Sequence, residues 1–199
     1  MVKNTKFIYI NSASLCHEIC EDIIGLFEEE DNKYEGVTAS GLNKDIKDTL
    51  DFIINKEEKR WSDMHSFFVN ELIRNVKKYI HMVNESQNFG HFKLLDYKSI
   101  DISNFMIQKY HANIGKYVYH DDSAFDLKAK RYRILTFLWY LNDVDNGGET
   151  EFYDSFTIKP QTGKLVIFPA TWTFPHTGKI PISNNKYILT GWVYTDIRS

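Results

Sequence analysis

No stretch of this chain approaches the ~18 consecutive apolar residues that a membrane-spanning helix requires. The start, Met1 to Lys6, leads into only a short apolar run from Phe7 to Ile10, which is no secretion signal. A membrane partner is therefore not expected, and the reading is a cytoplasmic protein. Cysteine is scarce as well. Cys16 and Cys20 lie four apart in a segment of helical spacing, too few for a disulfide framework and in keeping with a reducing compartment. They read as small apolar thiols on a helix. Ten glycines and four prolines in 199 residues exclude low-complexity and disordered classes. Nor is one sign of charge in excess. With 24 Lys and Arg against 27 Asp and Glu, no surplus of cations is available to neutralise a phosphate backbone, so nucleic acid is not an expected partner.

What remains is a globular chain, 43% hydrophobic, long enough to remove about 70% of its unfolded surface from water as one domain. Leu15, Ile19, Ile23 and Leu26 recur at helical spacing behind Ser12 and Ser14, either of which would serve as an N-cap. Ile46, Leu50, Ile53 and Ile54 predict a shorter helix. Met64, Phe68, Leu72, Val76, Tyr79 and Val83 predict a long amphipathic one after Ser62. From about Ser103 the pattern changes to short runs of aromatic and β-branched residues: Phe105 to His111, Arg131 to Leu141, Phe156 to Lys159, Leu165 to Phe168 and Tyr187 to Tyr194. Asp145-Asn146-Gly147-Gly148 and Pro160-Gln161-Thr162-Gly163 punctuate them with turn residues. The expected class is α+β, an antiparallel sandwich, barrel or jelly roll with helices packed on it. Residues 1–102 form a helical support region and 103–197 the strand core, together one compact domain. The stretch from Tyr34 to Arg60 is a candidate loop over a pocket mouth.

Among the residues capable of chemistry, His120-Asp121-Asp122 contains His-x-Asp. On an extended strand, residues two apart face the same way, so His120 and Asp122 can reach one ion while Asp121 faces away. Seven histidines and 27 acidic residues give about one such pair by chance, so the dyad needs support. His176, in a second strand-rich segment, is the candidate third ligand. Two histidines and a carboxylate on one face of an octahedron suit a non-haem iron(II) that activates oxygen. Lys186 opens a strand that is apolar on both faces and shares a face with Ile188, Thr190 and Trp192. An ammonium buried there needs an anion, and a dicarboxylate co-substrate supplies one. The alternative is a strand-end lysine whose tip reaches water.

These residues sit in a longer order of motifs. Tyr110 and Gly115-Lys116-Tyr117 lead to His120-x-Asp122. Leu135-Thr136-Phe137-Leu138-Trp139-Tyr140-Leu141-Asn142 and Gly147-Gly148-Glu149-Thr150-Glu151-Phe152 follow. Pro160, Gly163, Phe168-Pro169, His176-x-Gly178 and Lys186-Tyr187-Ile188-Leu189-Thr190-Gly191-Trp192 complete the series. From about Asn104 to Asp196 the chain resembles the 2-oxoglutarate/iron(II) dioxygenases of the prolyl 4-hydroxylase type. The resemblance implies a double-stranded β-helix, iron(II) held by His120, Asp122 and His176, and Lys186 paired with the distal carboxylate of 2-oxoglutarate. Tyr110 and Trp192 match positions that line the co-substrate pocket, and O2 and ascorbate belong to the same chemistry. Glu149 falls in a hairpin and outside the ligand set. Tyr119 stands where many members place proline, and the Tyr110 to His120 segment is one residue longer than in some relatives. Both departures bear on the loop beside the metal and hence on peptide specificity.

The activity so implied is hydroxylation of a C–H bond, in the first instance of a prolyl residue in a peptide or protein, with release of succinate and CO2. The same chemistry on another amino-acid or small-molecule substrate is the alternative within the class, and a non-catalytic cupin-like binding protein is the alternative outside it. A halogenase would leave the Asp122 position open, and a nucleic-acid demethylase typically carries Arg where Lys186 stands. Of the other histidines, His17, His65, His81 and His91 read as surface or cap residues, and His111 as pointing to the face opposite Tyr110.

Overall fold

A computed structural model describes residues 5–85 and 100–196. After a short turn of 3-10 helix come β1 (Tyr9–Asn11), α1 (His17–Glu29), β2 (Tyr34–Glu35), β3 (Lys47–Asp48), β4 (Leu50–Ile53) and the long α2 (Lys59–Glu85). Then follow β5 (Ile100–Ile102), β6 (Met106–Tyr110), β7 (Lys116–His120), β8 (Phe125–Asp126) and β9 (Arg131–Tyr140). The chain closes with β10 (Thr150–Phe152), β11 (Phe156–Ile158), β12 (Leu165–Pro169), β13 (His176–Gly178) and β14 (Lys186–Asp196). Neither α1 nor α2 is long and apolar enough to cross a membrane. His91 lies outside the described residues.

The strands make two antiparallel sheets. The larger runs β1-β12-β9-β14-β6-β4-β2, with β5 beside β14 and β8 beside β9. The smaller runs β11-β10-β13-β7-β3. Strand alternation decides what each face of the larger sheet touches. On β9, Leu135, Phe137 and Trp139 pack with α1 and α2, while Leu138 and Tyr140 point toward the smaller sheet. On β12, Leu165 and Ile167 face the helices, and Val166 and Phe168 face inward. Strands buried on both faces read as continuous apolar runs, which is why these were legible. The helices offer the matching stripes: Cys20, Ile23 and Phe27 on α1, and Phe68, Leu72, Val76, Tyr79 and Val83 on α2. Each such side chain, once buried, contributes about 1.5–3 kcal/mol. Two facing antiparallel sheets with helices on one outer side form the expected α+β jelly roll, or double-stranded β-helix.

Three local expectations fail. The apolar spacing at 46 to 54 is not a helix but β3 and β4. Leu50–Ile53 pairs with the edge of β6, and that pairing overrides the local pattern. The same pairing draws Tyr34–Glu35, Lys47–Asp48 and Leu50–Ile53 of the Tyr34–Arg60 stretch into the sheets, β2 and β4 extending the larger and β3 bordering the smaller, so the stretch is not one continuous loop. Third, α1 starts at His17 with Cys16 at its N-cap and no side-chain cap bond. Ser14 instead donates to Glu71 Oε1 at 2.7 Å and accepts from Trp139 Nε1 at 3.0 Å. Glu71 also has Arg74 and Asn75, but the buried Trp139 indole N–H would be left unpartnered, which costs at least as much as a cap returns. Similarly α2 begins before Ser62, whose hydroxyl bonds the Lys59 carbonyl within the first turn. Among the helix histidines, His17 and His81 are exposed, whereas His65 is half-buried with its ring edge-on to Phe105.

Candidate active site

The inward face of the larger sheet and the facing strands of the smaller one enclose a pocket. Gln108, Tyr110, Tyr117, His120, Asp122, Thr136, Leu138, Thr150, His176, Gly178, Lys186, Ile188, Thr190 and Trp192 line it. His120 ends β7 and His176 begins β13. These strands are neighbours, with the two histidines directly opposite in register and their ring centroids 4.3 Å apart. Asp122, just past β7, turns its carboxylate between them. Its Oδ1 is 3.9 Å from His120 Nε2, and its Oδ2 is 3.6 Å from His176 Nε2. One donor atom from each of the three lies within 4.8 Å of the others. Asp121 is exposed and accepts the Ser123 amide instead, as the alternation requires.

The surroundings fix which atoms are presented. A carbonyl can only accept, so the bonds from His120 Nδ1 to Val118 O at 2.8 Å and from His176 Nδ1 to Phe174 O at 3.1 Å put the proton on Nδ1. Both Nε2 lone pairs are thereby left facing Asp122. Burial, with His176 beside it, pushes His120 down to about 4 against the pull of Asp122, so its ring is neutral at ordinary pH. Burial alone would raise the Asp122 carboxyl. The histidines, a 2.6 Å bond from the Thr136 hydroxyl and the nearby Arg133 outweigh it and hold the carboxyl below its usual value. Two imidazole Nε2 atoms and an ionised carboxylate are the donor set that a divalent iron takes.

Lys186 opens β14, 1% exposed, its parity with Ile188 and Thr190 turning it inward. Its Nζ donates to Gly148 O at 3.0 Å and stands 3.9 Å from the Tyr110 ring centroid. Among the described residues no carboxylate lies within ion-pair distance of it, and burial pushes the ammonium down to about 7 despite the charge of Glu149. The alternative of a lysine tip reaching water is thereby excluded. Gly178 keeps the space open, because a Cβ there would come within 3.2 Å of Tyr110 Cε1 and 3.6 Å of Lys186 Nζ. Further along β14, Trp192 lies under the Arg133 guanidinium at 3.5 Å, and its buried Nε1 donor has no partner among the described residues. An unneutralised ammonium and an orphaned N–H, lining the same pocket as three converging donors, fit a bound diacid next to a metal.

Residues 105–194 match the model of the 2OG-Fe(II) oxygenase superfamily. That segment is a 2OG-Fe(II) oxygenase domain. The protein is accordingly a dioxygenase, and the oxygenase reaction draws on iron(II), 2-oxoglutarate and O2. No curated protein matches the chain in sequence. Among solved structures the oxygenase is similar to a viral collagen prolyl hydroxylase from Paramecium Bursaria Chlorella virus-1, solved with 2-oxoglutarate. The TM-score is 0.65 and the identity 17%, over 98% of this chain and 99% of that one. A prolyl hydroxylase from Trichoplax adhaerens, in complex with a peptide of a hypoxia inducible factor oxygen degradation domain, gives a TM-score of 0.68 at 22% identity, over 97% and 85% of the two chains. A Pseudomonas putida prolyl-4-hydroxylase gives 0.62 at 14%, over 93% and 91%. At these identities the likeness is one of fold, and it is the prolyl hydroxylase fold.

The structure also lines the oxygenase pocket with Gln108, which the sequence reading did not mention, and with Tyr117, Thr136 and Thr150, which it quoted in motifs without assigning them a role. Thr136 had a legible signal, since it is a hydroxyl two residues before Leu138 on the inward face of β9. Tyr117 had none, because its stacking on His120, at 3.5 Å and 13° between planes, needs the curl of β7. Tyr119, the departure noted before the first histidine, points out of the pocket and bonds Glu151 Oε1 at 3.1 Å.

Proposed function

We propose that this oxygenase hydroxylates a prolyl residue in a peptide or protein, with His120, Asp122 and His176 holding the iron and Lys186 pairing with the distal carboxylate of 2-oxoglutarate. Tyr110 and Trp192 form walls of the co-substrate pocket. One observation carries the reading: three ligand atoms within 4.8 Å of one another share a pocket with a buried ammonium that has no protein counter-ion. The substrate class is supported by the prolyl hydroxylase neighbours, one of them solved with a peptide.

Iron(II) and 2-oxoglutarate, when bound, would supply the activation of O2, one oxygen atom entering the C–H bond as C–OH and the other entering succinate as the co-substrate loses CO2. The chain supplies position and environment. The carbonyls of Val118 and Phe174 hold the two imidazoles in the tautomer that presents Nε2. Thr136 holds the carboxylate of Asp122 by its Oδ2. Lys186, fixed by Gly148 O, sets the depth to which a diacid enters. Leu138, Ile188 and the Trp192 ring limit water at the reacting end.

Succinate release with iron(II) and 2-oxoglutarate, measured against proline-containing peptides and against free amino acids, tests the reading. Peptide-dependent succinate, with one oxygen added to a prolyl ring and loss of both in His176→Ala, is the expected result. Turnover confined to free amino acids would transfer the substrate assignment to small molecules. Failure of the protein to take up iron(II) and 2-oxoglutarate together would remove the catalytic assignment of these four residues.

A further inference from the structure

Two buried charges outside the pocket lining have no part in the chemistry above, and they sit on the strands whose spacing suggested a helix. Lys47 on β3 and Asp51 on β4 are 4% and 0% exposed, and their Nζ and Oδ2 meet at 2.6 Å. Thr49 Oγ1 donates to Asp51 Oδ1 at 2.7 Å. Taking an ion pair out of water is expensive, and apolar residues of the same volume would often serve stability as well or better. Burial of this pair therefore asks for a reason beyond holding two strands together.

Both ends of the pair reach the pocket. A carboxylate only accepts hydrogen bonds, so Gln108 turns its Nε2 to Asp51 Oδ2, at 3.3 Å. That choice forces Gln108 Oε1 the other way, where the Tyr110 hydroxyl donates to it at 3.3 Å. The Tyr110 ring in turn covers Lys186 Nζ. On the other side, Lys47 Nζ stands 5.5 Å from the centroid of Tyr117, and the Tyr117 ring stacks on that of His120. One ion pair thus has an arm to the co-substrate end of the pocket and an arm to the metal end.

We propose that the Lys47–Asp51 pair is a positioning device. Through Gln108 it sets Tyr110 over Lys186, and through Tyr117 it sets His120, so affinity for 2-oxoglutarate and for iron is governed from strands behind the pocket. The inference rests on the reading that the pocket binds 2-oxoglutarate against Lys186. Without Asp51 as an obligate acceptor the Gln108 amide is free to turn over, and the Tyr110 hydroxyl loses a defined partner. Without the Lys47 ammonium the Tyr117 ring loses its cation.

The test is anaerobic calorimetric titration of the whole protein, first with iron(II) and then with 2-oxoglutarate, for the wild type, Gln108→Met and the double variant Lys47→Met/Asp51→Leu. Thermal unfolding of each reports whether it is folded. Gln108→Met keeps the ion pair and nearly the same volume, so it carries the test even if the double variant does not fold. In Gln108→Met the dissociation constant for 2-oxoglutarate is expected to rise about tenfold, the equivalent of one orienting hydrogen bond, with iron(II) affinity unchanged. In the double variant both affinities are expected to weaken. A purely structural role predicts no such split between the two arms. Cooperatively folded variants that bind 2-oxoglutarate as the wild type does would overturn the proposal. A wild type that takes up iron(II) but gives no heat with 2-oxoglutarate would overturn the underlying reading and the proposal with it.

Discussion

Lys186 is buried between two sheets with the Gly148 carbonyl as its hydrogen-bond partner and no carboxylate within ion-pair distance among the described residues. Burial lowers Lys186 from 10.5 to about 7. Between those values the unfolded chain carries a proton there that the folded chain lacks, so the stability of the ligand-free protein rises with pH across that window. Affinity for a dicarboxylate runs the other way. It is level below pH about 7 and falls by up to about tenfold per pH unit above it, as the ammonium is lost. Urea unfolding and 2-oxoglutarate titrations from about pH 6 to about pH 9 check both slopes. Lys186→Met is expected to abolish the stability rise and the binding together, and a pH-independent affinity in the wild type would contradict the charge assignment. At this scale strand parity set Asp122 with His120 and put Lys186 on the face of Ile188 and Thr190, whereas His176 and the four residues as one set came from the resemblance of the motif series. Gln108 was not singled out, since a glutamine acquires a role only from its partner, here Asp51, while the parity of Thr136 with Leu138 marked its face but not its bond to Asp122.

At the scale of elements, the turn before β10 deserves the same weight as the strands. Gly147 and Gly148 both have positive φ, 72° and 74°, and that conformation aims the Gly148 carbonyl at Lys186. A Cβ on Gly148 would also press on Val144 Cγ1 at 3.2 Å, Pro181 Cβ at 3.3 Å and Lys186 Cδ at 3.5 Å. Gly148→Ala is therefore expected to cost about 1–2 kcal/mol from backbone strain, lowering the thermal midpoint by roughly 2–8 °C. Weaker 2-oxoglutarate binding should accompany it, because the carbonyl that holds Lys186 moves. A calorimetric scan with a binding titration checks both, and an unchanged affinity would show that the carbonyl is not a determinant. The turn was readable from its glycines, and β9, β12 and β14 from their length and apolar composition. Strands of two to four residues such as β3, β4, β10 and β13 span too little chain to display a period. At 46 to 54 that brevity let an accidental helical spacing prevail.

For the molecule as a whole, Phe105 joins the two layers. Its ring packs with His65 and Phe68 of α2 at 5.3 and 5.5 Å, and with Phe137 and Trp139 of β9 at 5.5 and 6.4 Å. Phe105→Ala is expected to lower global stability by roughly 3–5 kcal/mol through lost burial and the cavity left behind. Because the ring belongs to the helix-side cluster and not to the pocket lining, the folded fraction should bind iron(II) and 2-oxoglutarate as before. Denaturant midpoints beside binding constants check this, and a parallel loss of affinity would couple the helix layer to the site. What the amino-acid order determined alone was periodic or chemical: two amphipathic helices, the doubly buried strands, the glycine turns, and a set of residues able to hold a metal and a diacid. The tertiary structure alone decided which of them meet. His120 and His176 are brought face to face by the register of β7 against β13, and the Lys47–Asp51 pair behind them is made by strands docking on two different sheets. Register and docking are set by burial summed over many distant contacts, and no local window of sequence contains that sum.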